Sequence, residues 1–239
     1  MIKPYKSESN KKEQVEQMFD NIAHRYDFLN HFLSLGIDKL WRRKAINKLK
    51  PINPSKILDI ATGTGDLALA ALRLKPTEIV GIDLSEEMLN YAKIKIDKAG
   101  KSNIIKFEKG DSEHINYQDN TFDAAMVAFG VRNFENLQQG IDEINRVLVP
   151  GGKLVVLEFS KPKNFIIKGI YNFYFFRILP FFGRIFSKDQ RAYTYLPESV
   201  GAFPDGPDFL RYMAKAGFNE LTCKPLTFGI ASIYTGIKA

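Results

Sequence analysis

Asp59, Asp83 and Asp111 each stand in or just after a short apolar run, where a carboxylate can hold the polar parts of a bound nucleotide. Asp59 lies in Lys56-Ile-Leu-Asp-Ile60, ahead of the turn Thr62-Gly63-Thr64-Gly65. Asp83 follows Glu78-Ile-Val-Gly-Ile82, and Asp111 with Ser112 follows Ile104-Ile-Lys-Phe107 and Gly110. The glycine turn runs into Asp66-Leu-Ala-Leu-Ala-Ala-Leu72, a stretch of helix formers. Glycines at such a turn let the backbone approach a ligand, and the new helix offers unpaired N–H groups. Gly63-x-Gly65-x-x-Ala68 also fits a dinucleotide site, and a carboxylate at the second strand tip suits the ribose of either cofactor class.

The next units separate the two classes. Asn120-Thr-Phe-Asp-Ala-Ala-Met-Val127 is an acidic lead into a further apolar strand. Arg146-Val-Leu-Val-Pro-Gly-Gly-Lys-Leu-Val-Val-Leu157 reads as helix end, turn and strand, with Pro150-Gly151-Gly152 reversing the chain. This order of units resembles the S-adenosylmethionine-dependent class I methyltransferases. The resemblance implies that Thr62, Gly63, Thr64 and Gly65 hold the methionine part of the cofactor. It also implies that Asp59 positions the amino-acid end, Asp83 the ribose, and Asp111 with Ser112 the adenine.

A narrower resemblance rests on further motifs. Tyr26-Asp-Phe-Leu-Asn30, Ser34 and Trp41 follow the N-terminal signature of the quinone C-methyltransferases of ubiquinone and menaquinone biosynthesis. Arg146 to Ser160 follows their second signature, and Phe129-Gly-Val-Arg-Asn133 is similar to their active-site segment. Tyr195-Leu-Pro-Glu-Ser-Val200 and Leu226-Thr-Phe-Gly-Ile230 complete a match over nearly the whole chain. The chain departs from the pattern at Leu29, usually Met, at Asp38, often His, and at Val149, usually Lys or Arg. The resemblance implies methylation of a prenylated quinol ring carbon, of demethylmenaquinol or of the benzoquinol in the ubiquinone pathway. Arg132 and Asn133 then face the quinol oxygen, and Tyr26 and Phe129 wall the substrate. A guanidinium stays protonated, so Arg132 suits charge stabilisation and placement of a proton-accepting water better than direct proton removal. His24, His31 and His114 match no catalytic position of that family.

The elements that must place these residues form an α/β fold: a Rossmann-like, mostly parallel seven-stranded sheet with an antiparallel C-terminal strand. The core spans residues 56–160 of one methyltransferase domain covering 1–239. A helical cap over 1–50 precedes it, with apolar positions from Val15 to Leu33 at three- and four-residue steps and a second helix from Asp38 to Leu49. Residues 161–200 are an insertion crowded with aromatics, from Phe165 to Phe186, and interrupted by Lys168, Arg177, Pro180, Gly183 and Arg184. Such a run is a poor membrane span and a good apolar lid or surface-lying helix. Residues 201–239 supply a last helix and a closing strand pair.

Bulk properties narrow the classes further. The 239 residues are 45% hydrophobic and 26% charged, enough for one sizeable core. The single cysteine, Cys223, excludes an internal disulfide and fits a reducing, cytoplasmic compartment, while the aromatic and basic insertion allows peripheral contact at the inner face of the cell membrane. No Cys/His cluster has metal-ligand spacing, so no metal is expected. Net charge is +7, which admits an RNA methyltransferase as the rival class, but no RNA-binding appendage is visible and no nucleic acid is expected. Lys3, Lys6, Lys11 and Lys12 read as a solvated arm or an anionic-surface contact. Self-association is left open. A dehydrogenase is disfavoured by the Asp111 unit and by the lack of a catalytic domain.

Overall fold

In the computed structural model, residues 2–5, 7–27, 31, 34, 36–178 and 190–239 are described. Leu29, Leu33, Pro180, Phe182, Gly183 and Phe186 lie outside the described residues, as do the side chains of Phe175 and Phe176. Seven strands form one sheet in the order β3-β2-β1-β4-β5-β7-β6. They are β1 Lys56–Ile60, β2 Glu78–Asp83, β3 Ile105–Lys109, β4 Phe122–Ala128, β5 Leu148–Phe159, β6 Phe218–Leu226 and β7 Ala231–Lys238. Strands β1 to β5 pair in parallel, and β7 runs antiparallel to both β5 and β6. Strand order reverses between β1 and β4, and ligands bind such sheets in the crevice beyond the carboxyl ends at that point.

The expected helices form with small shifts. Asn10 caps α1, Lys11–Ile22, by accepting the Glu13 N–H. A 3-10 turn, Ala23–Arg25, then breaks the periodic N-terminal stretch. The helix expected from Asp38 to Leu49 is α2, Ile37–Ile46. Helix α3, Asp66–Ala71, starts directly at the left-handed Gly65. Ser85 caps α4, Glu86–Lys98, which returns the chain to the sheet. Helix α5, Leu137–Val147, leads straight into β5. The Pro150-Gly151-Gly152 turn is a break of register inside β5: Phe122 pairs with Leu148, and the next pair is Ala124 with Lys153.

The sheet is buried on both faces. Leu58, Ile60, Val80, Val127 and Val156 pack with Ile141 and Ile144 of α5. Ile57, Ile79, Met126 and Val155 pack with Trp41, Ala45, Leu67 and Ala71 on the other face. After β5 come α6, Phe165–Phe173, a π-helical turn Tyr174–Ile178, α7 Gln190–Ala202 and α8 Pro207–Lys215. Helix α1 spans two modules, because Val15, Met18 and Ile22 pack with Met88 of α4 and with Ala192 and Tyr195 of α7. Among the described residues, no helix is long and apolar enough to cross a membrane.

Candidate active site

The carboxyl ends of β1, β2, β3 and β4 surround a cleft, and the chain is bent sharply there. Ala61 and Phe129 take left-handed dihedrals (φ 52° and 60°) just after β1 and β4, as do Gly63 and Gly65. For alanine and phenylalanine this conformation carries strain that surrounding structure must hold. Gly130 allows the two turns to touch, since a Cβ there would come within 2.6 Å of the Ala61 Cβ.

The predicted cofactor residues separate into three positions. Gly63, Asp83, Asp111 and Ser112 line the cleft. Asp83 accepts the Gly63 N–H at 2.8 Å and the Ser85 N–H at 3.0 Å, so its carboxylate ties the first turn to the second. Burial raises its pKa, and those donors oppose the rise. Asp59 lies beneath the turn, fully buried, where it accepts the Thr62 hydroxyl at 2.7 Å. Its other oxygen meets no hydrogen-bond partner among the described residues, and burial pushes its pKa up to about 7. Thr64 turns away from the cleft and donates to Asp27, which also meets Lys95. Gly65 serves as the N-cap of α3.

Helix α1 closes this cleft in a way that the polar N-terminus did not suggest. Lys12 pairs with Asp111 and lies 3.3 Å from Glu113. Lys11 is buried and donates to the carbonyl oxygens of Arg132 at 3.1 Å and Phe134 at 2.6 Å. Burial pulls its pKa down to about 8. These two lysines are therefore not a solvated arm. Lys3 donates to the Ser9 carbonyl, and Lys6 is outside the described residues.

A second space of about 420 Å³ adjoins the cleft. Its walls are largely aromatic and aliphatic, and Phe19, Tyr26, Phe129 and Asn133 line both spaces. Tyr26 and Phe129 thus stand where cofactor and acceptor would meet. Arg132 reaches this cavity from the 3-10 turn Val131–Asn133. Its Nη1 donates to Glu158 Oε1 at 2.8 Å and to the Phe129 carbonyl, and its guanidinium lies 5.6 Å from the Phe159 ring centre. Its Nε is buried and has no partner among the described residues. Asn133 Oδ1 accepts the Tyr195 hydroxyl at 3.2 Å, and burial pushes that phenol up to about 12. Asn133 stands outside the next helix, because α5 begins at Leu137 with Asn136 as its cap.

Sequence reasoning gave no role to Glu158. It is fully buried, accepts the Phe159 N–H at 2.8 Å, and has its pKa raised by burial against the pull of Arg132. A carboxylate inside the apolar run Val-Val-Leu-Glu-Phe was the available signal, since a buried charge needs a partner. Arg42 and Asp38 also reach the cavity, from α2.

The residues present fit S-adenosylmethionine. An unpartnered buried Asp59 oxygen suits an ammonium group, and Asp83 offers acceptor oxygens at the second strand tip. The fold with this site defines a Rossmann-like S-adenosylmethionine-dependent methyltransferase. A methyltransferase of this class from Thermotoga maritima has a TM-score of 0.63 at 20% identity, covering 93% of this chain and 99% of that one, a likeness of fold. The ubiE/COQ5 methyltransferase family matches residues 7–238, and the chain belongs to that family. The demethylmenaquinone methyltransferase of Bacteroides fragilis is 49% identical over 238 residues, 99% of this chain and 97% of that protein. The ubiquinone/menaquinone biosynthesis C-methyltransferase UbiE of Geotalea daltonii is 45% identical over 232 residues, 96% of this chain and 98% of that protein.

Proposed function

We propose that this C-methyltransferase of quinone biosynthesis methylates the ring of demethylmenaquinol, held in the apolar cavity with one oxygen against Arg132 and Asn133. The observation that carries the reading is the half-buried Arg132, whose buried Nε has no partner among the described residues, in a cavity that shares walls with the cofactor cleft. S-adenosylmethionine supplies an electrophilic methyl group. The quinol, unlike the quinone, can answer it: loss of a hydroxyl proton moves charge onto the adjacent ring carbon, which attacks in line. That carbon would gain the methyl group as the methyl's bond to the cofactor sulfur breaks, leaving a neutral thioether, and would then release its hydrogen as a proton, restoring the aromatic ring.

Arg132 stabilises the phenolate as it forms and orients a water that takes the hydroxyl proton. Donors fixed in a dry site are worth far more than in water. Glu158 keeps the guanidinium in place, and Asn133, braced by Tyr195, orients the oxygen or the water. The aromatic walls exclude solvent from the reacting carbon. The menaquinone pathway is favoured by the names of the Bacteroides relatives, while the Geotalea protein's name covers both quinones. The rival RNA substrate finds no support in an apolar cavity.

We also propose that α6 touches the bilayer. Phe165, Ile166 and Phe173 are exposed, while Ile167 and Tyr171 of the same helix line the cavity. Lys163, Lys168 and Arg177 are exposed around them, which suits an anionic lipid surface. Such a helix would pass the prenyl tail from bilayer to cavity.

The test is methyl transfer from labelled cofactor to demethylmenaquinone, chemically reduced or left oxidised, with a benzoquinol in parallel. Turnover is expected on the reduced naphthoquinol only or foremost. Equal rates on the oxidised form would overturn the phenolate chemistry, and preference for the benzoquinol would move the enzyme to the ubiquinone pathway.

A further inference from the structure

A second guanidinium lines the same cavity, and the reaction described above does not use it. Arg42 lies on α2, is only 9% exposed, and sits 5.8 Å from the centre of the Phe129 ring. Arg132 sits 5.6 Å from the centre of Phe159, and the two rings pack 4.6 Å apart. One cation therefore stands against each ring of a tilted aromatic pair, and both face one cavity.

The two cations are anchored alike. Arg132 is held by the buried Glu158. Arg42 is held by Asp38, 4% exposed, which also accepts the Ser34 hydroxyl at 2.6 Å and meets His31 Nδ1 at 2.9 Å. Burial alone would raise the Asp38 pKa, but the Ser34 hydrogen bond and the Arg42 charge outweigh it, so the carboxylate stays ionised. Asp66 lies 3.9 Å from Arg42 Nη2 and is itself paired with Lys95, so the acidic groups around His31 already have their counter-cations. Buried ion pairs are seldom worth more to a fold than well-packed apolar side chains. A fold needing only an apolar wall has no use for Arg42 here. A guanidinium carries five donors, and its carboxylate partners leave some for a ligand.

We propose that Arg42 binds the second oxygen of the acceptor ring, para to the oxygen held by Arg132, so that the enzyme selects aromatic para-diols over single-hydroxyl phenols. The proposal rests on the reading of the cavity as the quinol site. Arg42 is a binding and specificity residue on this account, and the fixed pair of guanidiniums sets which ring carbon faces the cofactor cleft.

The experiment uses two inert probes whose acceptor carbon already carries a methyl group: a dimethylated naphthalene para-diol and the same ring with one hydroxyl. Each is measured under reducing conditions as an inhibitor of methyl transfer. The wild-type enzyme is expected to bind the diol about tenfold or more tightly, the scale of one hydrogen bond to a charged group. Arg42→Gln should abolish that preference by weakening the diol alone. Arg132→Gln should weaken both probes, and if it weakens neither, the reading of the cavity fails whatever Arg42 does. If Arg42→Gln does not fold with Asp38 left unpaired, the double variant Asp38→Asn/Arg42→Gln removes both charges and reads the same ratio. A preference that survives in the folded variant, or its absence in the wild type, overturns the proposal.

Discussion

The cleft proposed for the cofactor and the cavity proposed for the acceptor share a wall but are built on different terms. The cleft lies at the ends of β1 to β4, with left-handed backbone at Ala61, Gly63, Gly65 and Phe129 and with Asp83 accepting main-chain N–H groups. The cavity is made of side chains from α1, α2, α6 and α7 and from loops that are distant in sequence. Its charged groups are set in ion pairs, Arg132 with Glu158 and Arg42 with Asp38. The cleft thus draws its precision from the sheet, whereas the cavity draws it from electrostatic pairs held in apolar packing. Substitutions should act accordingly: those in the cleft on cofactor affinity, those in the cavity on acceptor chemistry and folding.

The largest effect on folding is expected at Glu158. Removing one partner of a buried pair costs about 3–5 kcal/mol, because the other charge is left uncompensated. Glu158→Ala should therefore lower the midpoint of denaturant unfolding markedly in the cofactor-free enzyme. A midpoint near that of the wild type would show that the cavity does not depend on its ion pair.

Asp83→Ala should break the cleft without touching the cavity. Calorimetry should show cofactor binding weakened by about 1–3 kcal/mol, the cost of losing a hydrogen-bonded partner at a ligand. Unchanged affinity would remove Asp83 from the ribose site.

Asp59 sharpens the comparison through pH. Its pKa is raised to about 7, so the cofactor-free protein holds that proton below neutrality. Affinity for the ammonium group of the amino-acid end should fall as pH drops through 7, and Asp59→Asn should flatten that dependence. For folding the sign is opposite. Between the ordinary carboxylate range and pH 7 the native state binds more protons than the unfolded chain, so this group's contribution to stability is lost as pH rises across that window. Asp59→Asn should then raise the melting temperature at neutral pH while weakening the cofactor. A variant that loses both would make Asp59 structural only.

The smallest effect belongs to the rim. Polar replacements of Phe165, Ile166 and Phe173 should reduce binding to anionic vesicles and turnover of long-tailed substrates, with little change for tail-free ones. Equal loss on both substrates would assign the helix a folding role.

What was legible in the sequence follows the same division. A strand, a glycine turn and a carboxylate lie within a few residues of one another, so the cleft could be read from local spacing. The seven strands and the antiparallel β7 were equally open to apolar runs and turns. Arg132 and Asn133 were singled out through their motif, but their partners were not, since Glu158 and Tyr195 meet them only when β5 and α7 pack. Lys11 and Lys12 misled because charge alone does not tell a solvated lysine from one that seals a cleft. Thr64 misled for the converse reason: its place in the glycine turn is local, but its direction is set by Asp27 in the cap.

The measurement that bears most directly on the account is single-turnover methyl transfer to reduced demethylmenaquinone by Arg132→Ala, with cofactor affinity taken on the same sample. Loss of a preorganised donor is worth about 2.7–4 kcal/mol, so the rate should fall by about two to three orders of magnitude with affinity unchanged. Arg132→Lys should recover little, because a point charge does not reproduce the planar fork. Wild-type turnover in Arg132→Ala, or a loss explained wholly by weaker cofactor binding, would contradict the placing of the quinol oxygen at Arg132.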